Sequence, residues 1–151
     1  MFRILAAIGL IAAPAAAQEG LAPTVMDCDW QSSAQFVAEP WEANTRTFAN
    51  GRTRLALIDT VEPVGGWAWL MILSPPHDEL GFRQCRMVGN NGMGFSRLDF
   101  DMLSADYDPA RGLIFDVPAG WYMDGTDDDP WQWIRITLNQ LTGDIAIEVP
   151  H

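Results

Sequence analysis

Thr45-Arg46-Thr47-Phe48-Ala49-Asn50-Gly51-Arg52-Thr53-Arg54-Leu55-Ala56-Leu57-Ile58-Asp59-Thr60 is the stretch on which the fold class turns. Asn-Gly supplies the two positive φ values of a type I′ hairpin. The runs on either side are rich in Thr, Phe, Leu and Ile, the composition of half-buried strands. The reading is two antiparallel strands, 45–49 and 52–60, joined at Asn50-Gly51.

The same punctuation continues toward the C-terminus. Glu62-Pro63-Val64-Gly65-Gly66 is a turn, and Trp67–Leu73 follows it, apolar on both faces, as a central strand is. Ser74-Pro75-Pro76-His77-Asp78-Glu79 is expected to be a loop, because adjacent prolines remove ladder donors. Strands are expected at 82–88, at 97–107 with an interruption, and at 112–118, 131–138 and 144–149. Tyr107-Asp108-Pro109-Ala110-Arg111-Gly112 and Leu138-Asn139-Gln140-Leu141-Thr142-Gly143 are matching turns, each opened by an Asx residue and closed by Gly. Toward the N-terminus the text is less regular. Ser32 to Glu39 is read as a short helix with a Ser32–Gln35 capping box, ended by Pro40. The fold class is therefore all-β: one domain over 18–151, an antiparallel meander of about eight strands. It closes as a small barrel or folds as a two-layer sandwich, and the sequence allows both.

Residues 1–17 read as a signal peptide. Arg3 is a minimal basic region, Ile4 to Ala13 is apolar, and Ala15-Ala16-Ala17 is a small-residue cleavage site. The apolar run is about 10 residues, short of the span a membrane helix needs. No Cys follows the cleavage site, so no lipid anchor is expected. Export carries the chain to an oxidising periplasmic or extracellular space. Cys28 and Cys85, the two cysteines, are expected to form a disulfide there.

Composition excludes several classes of function. The chain has 151 residues, 20 acidic and 9 basic, with a net charge of −11. Every basic residue is Arg. Nucleic-acid binding and polybasic membrane anchoring both need clustered cations and are not expected. The acidity is concentrated: residues 99–129 hold nine Asp and one basic residue, Arg111.

Few residues offer chemistry. His77 with Asp78 and Glu79 is the one proton-transfer candidate, as a loop imidazole beside carboxylates can act as a general acid in a hydrolase or lyase. A solvated polar loop is the alternative. Asp124, Asp127, Asp128 and Asp129 form an acidic loop that a Ca²⁺ ion would relieve of repulsion, although the spacing is not that of an EF-hand. No other cofactor is indicated. Seven Trp are present. Trp67 and Trp69 share a strand face in this reading, as do Trp131 and Trp133, because side chains alternate. Such pairs fill a core or hold a sugar or apolar ligand. Arg135 and Thr137 continue the face of Trp131 and Trp133, and that mix makes Trp131, Trp133 and Arg135 the better ligand-binding candidate.

Glu39-Pro40-Trp41-Glu42-Ala43-Asn44-Thr45-Arg46-Thr47-Phe48-Ala49-Asn50-Gly51, Leu73-Ser74-Pro75-Pro76-His77-Asp78-Glu79-Leu80-Gly81-Phe82-Arg83-Gln84-Cys85-Arg86 and the two Gly-ended turns resemble a family of small exported proteins of Gram-negative bacteria without assigned function. The resemblance implies export and a β-rich fold, and no activity. The expected function is a non-enzymatic exported β-domain that binds a partner or ligand. A sharper form is an acidic inhibitor-like module with a cationic partner. Periplasmic lysozyme inhibitors are acidic, disulfide-stapled barrels of similar physical type, although their sequence motifs are absent. The alternatives are an enzyme using the His77 loop and a calcium-stabilised structural module.

Overall fold

A computed structural model describes residues 20–150. The expected signal peptide, 1–17, and His151 lie outside the described residues. The fold is all-β, built from ten strands: β1 (Pro23–Asp27), β2 (Thr45–Phe48), β3 (Thr53–Asp59), β4 (Ala68–His77), β5 (Arg83–Asn90), β6 (Arg97–Leu98), β7 (Ser104–Asp108), β8 (Gly112–Gly120), β9 (Trp131–Leu138) and β10 (Ile145–Glu148). They form two five-stranded antiparallel sheets. The first has the order β1-β5-β4-β3-β2. The second has the order β10-β9-β8-β6, with β7 also paired to β8. Four sequential strands make a meander in each sheet, and the architecture is a two-layer sandwich, not a closed barrel.

Alternation along the strands builds the layers. Leu55 and Leu57 on β3, Leu70 and Ile72 on β4, and Val88 on β5 face Phe115 and Val117 on β8 and Ile134, Ile136 and Leu138 on β9 across one core. Each such side chain, fully buried, contributes about 1.5–3 kcal/mol of transfer free energy. The other face of the first sheet is also covered. Ala56, Ile58, Trp69, Met71 and Met87 form a second cluster, packed by Cys28, Phe36 and Val37 of the N-terminal segment. β4, central in a sheet buried on both sides, is accordingly apolar at successive positions, as expected. The Cys28–Cys85 disulfide forms and ties that segment to β5. Arg46 on β2 joins the sheets at another edge, donating to the Leu103 carbonyl at 2.7 Å with its guanidinium 5.1 Å from the centre of the Phe100 ring.

The structure alters several expectations. The described residues hold ten strands where about eight were expected: β1 pairs with β5 inside the stretch read as irregular, and 97–107 splits into β6 and β7 around a single 3-10 turn at Phe100–Met102. No helix spans 32–39. Two 3-10 turns, Trp30–Ser32 and Ala34–Phe36, stand there without side-chain caps, and the Ser32 hydroxyl donates to the Asp29 carbonyl instead. Ser33, in an extended conformation with ψ of 140°, separates the two turns, so no continuous helix forms. β4 runs through Pro75-Pro76 to His77. The register jumps from Ser74 opposite Gln84 to His77 opposite Arg83, so the prolines occupy a bulge where no ladder bond is required of them. Trp67 and Trp69 do not share a face: Trp67 caps a 3-10 turn before β4 and packs toward the inter-sheet core, while Trp69 belongs to the outer cluster.

The hairpin turns follow their sequence. Asn50 and Gly51 have φ of 56° and 80°, and the Arg52 amide donates to the Ala49 carbonyl. Ala49 is also left-handed, so the ladder starts one pair further back, at Phe48 opposite Thr53. Asp108 accepts from the Ala110 amide and Asn139 from the Leu141 amide, and Gly112 and Gly143 close these two turns with positive φ.

Candidate ligand-binding face

The two faces of the second sheet differ. Its inner face is core. On its outer face at β9, Trp131 and Trp133 remain 45% and 38% exposed. Trp131, Trp133, Arg135 and Thr137 alternate outward while Ile134, Ile136 and Leu138 turn inward. The sheet register supplies their neighbours. Gly120 and Arg97 lie in line with Trp131, Pro118 lies opposite Trp133, and Ser104, Asp116, Arg135 and Glu148 form one row across four strands. The next row holds Asp106, Ile114, Thr137 and Ala146.

Arg135 is held by a fork of two bonds to Asp116, Nε to Oδ1 at 2.8 Å and an Nη to Oδ2 at 2.9 Å. Those bonds and the Asp116 charge strengthen the proton affinity of the guanidinium, and Glu148 and Asp106 add to it from either side. Arg97 forms the same fork with Asp99, at 3.0 and 2.7 Å, and its guanidinium lies 5.9 Å from the centre of a Trp131 ring. Ser104, Asp116, Trp131, Gln132, Trp133, Arg135 and Pro150 line an open depression of about 650 Å³. The face thus offers two indoles on a strand laddered to β8, a fixed Arg–Asp pair, and polar groups at the rim.

All three ligand-binding candidates read from the sequence stand on this face. Asp116, Ser104 and Arg97 were not anticipated, because strand register across a ten-residue connection is not written locally. One signal was present: Asp116 is the only charged residue of β8 and Arg135 the only one of β9, with opposite signs.

The other candidates are dispersed. His77 ends β4 opposite Arg83 and is exposed. Asp78 is engaged in its own turn, accepting from the amides of Leu80 and Phe82 at 2.9 and 2.8 Å. Glu79 points to solvent in the same turn, and among the described residues no hydrogen bond joins His77 to either carboxylate. Asp124, Asp127 and Asp128 are exposed, and Asp129 accepts from the Ser96 hydroxyl at 3.0 Å. Among the described residues no three acidic, His or Cys side chains converge as a metal cage would require. No described helix is long and apolar enough to cross a membrane.

The fold and this face define a class: a disulfide-tethered antiparallel β-sandwich with one aromatic sheet face open to solvent. No protein-family model, curated protein or solved structure matches the chain.

Proposed function

We propose that the protein is an exported, non-enzymatic recognition domain whose binding surface is the outer face of the second sheet around Trp131, Trp133 and Arg135. One observation carries the reading: two exposed indoles sit at alternate positions of one strand, beside a depression and an Arg–Asp pair that is already locked. Exposed Trp also occurs on the N-terminal segment, at Trp30 and Trp41, but Trp30 leans edge-on against Phe36 there. β9 is paired with β8 along its whole length, Trp131 and Trp133 included, and with β10 from Arg135 to Leu138, so the backbone that carries the indoles is already ordered before a ligand settles. Indoles and a pre-oriented guanidinium are the residue types that dominate binding energy at recognition surfaces. The disulfide and the resemblance to exported proteins support the compartment.

The test is the double variant W131A/W133A, compared with wild type for binding of neutral oligosaccharides and short charged peptides by calorimetry. The reading predicts that any ligand wild type binds is lost by the variant, with β-sheet circular dichroism unchanged. A ligand bound equally well by both proteins contradicts it.

A further inference from the structure

The outer face of the second sheet also carries information about what settles on it. Arg135 is one cation among three carboxylates, Asp116, Glu148 and Asp106. That leaves two negative charges in excess beside Trp133. At the other end, Arg97 is set against Asp99 and Asp129, with one negative charge in excess. The protein already places a cation of its own on this face, since the Arg97 guanidinium lies over a Trp131 ring. Among the described residues no cation lies over Trp133. Indole is the aromatic ring that attracts cations most strongly, through its quadrupole.

The spacing is that of a strand. Trp131, Trp133 and Arg135 recur every ~6.8 Å, the distance between alternate residues of an extended chain. A partner segment lying along β9 would present its own alternate side chains at the same repeat. One would meet the Trp133 ring and the next would reach the Glu148 carboxylate, directly opposite Arg135 on β10, with the Asp106 charge two strands away on β7.

Resting on the proposed binding surface, we infer that its occupant is an extended segment of a partner protein with Arg or Lys at alternate positions. Trp133 takes one cationic side chain through its ring face, and Glu148 takes the next as an ion pair, with Asp106 adding to the negative field from β7. Asp116 is not available for this, because both its oxygens are bound by Arg135. Arg97 and Asp99 close the other end of the face.

The probe is the blocked peptide Arg-Ala-Arg-Ala-Arg, titrated by calorimetry against the intact disulfide-bonded protein at about 20 mM salt, where surface charges are weakly screened. Its control carries citrulline for each Arg, the same shape without charge. The expected result is that the Arg peptide binds at least ~10-fold more tightly than the citrulline peptide, and ~10-fold more weakly at about 300 mM salt. W133A and D106N/E148Q should each weaken it ~10-fold. The second variant leaves both indoles in place, so a folding defect in W133A does not decide the matter. Equal binding of the two peptides, an Arg peptide indifferent to D106N/E148Q, or no Arg-peptide binding at low salt overturns the inference. A neutral chitin tetrasaccharide that binds wild type but not W133A would overturn the cationic partner while leaving the face as the binding surface.

Discussion

Asp116 and Arg135 meet because each is the lone charge on its strand and the register sets them opposite. The fork orients the guanidinium beside Trp133 and removes its freedom to reach elsewhere. In D116A the Arg135 Nε–H loses its acceptor, so its nitrogen-proton signal should broaden by exchange with water while the wild-type signal stays sharp. An equally sharp signal in the variant would mean that another carboxylate holds the group. Gly112 has φ of 112°, and a Cβ there would strike the Leu138 carbonyl. G112A should therefore cost more than about 1 kcal/mol in chemical denaturation. Asp108, in the same turn, is held below the usual carboxylate range by the Ala110 amide and then by Arg111. Its contribution is fully present above the unfolded value of about 3.9 and is lost as pH falls through the lower folded value. The stability difference between wild type and D108N should accordingly shrink below about pH 4. At this scale the sequence was legible where one strand suffices: alternation placed Trp131, Trp133 and Arg135 on one face. It misplaced Trp67 because that residue caps the 3-10 turn before β4 with helical backbone, where period two does not apply.

The N-terminal segment is the element whose attachment is most particular. It covers the Trp69 side of the first sheet with few apolar residues and is pinned at Cys28 to Cys85. The bridge spans a separation of 57 residues, for which chain entropy gives about 4 kcal/mol. C28A/C85A should lose about that much in chemical denaturation, and hydrogen exchange should quicken first in 23–38 while β8 and β9 stay protected. Simultaneous loosening of both sheets would show that the segment is not a separable cover. The elements the sequence revealed best were those bounded by turn chemistry, notably the hairpins at Asn50-Gly51, Asp108–Gly112 and Asn139–Gly143. β1 was hidden because it is a five-residue edge strand that begins with Pro and is defined by its pairing with β5. The prolines of β4 misled because a bulge, invisible locally, absorbs them.

At the scale of the whole molecule, two layers rather than a barrel follow from which strands leave their meander, a long-range choice that no local pattern encodes. Sheet stacking also decides which face is open. The first sheet is sandwiched between its partner and the N-terminal segment, so Trp69 is buried, whereas the outer side of β9 meets solvent. The acidic excess of 99–129 gathers partly around that side, through Asp106, Asp116 and Asp129, and sets its sign. Association of a cationic partner at this face should therefore be faster at low salt, a dependence stopped-flow measurement would reveal. Binding is assigned above all to the indoles of β9. The most direct measurement is a nitrogen-proton spectrum of the seven Trp indoles recorded with and without a bound ligand, assigned through single Trp→Phe variants. The Trp131 and Trp133 signals should shift while those of Trp67 and Trp69 stay fixed. Shifts confined to Trp30 and Trp41, with Trp131 and Trp133 unmoved, would contradict it.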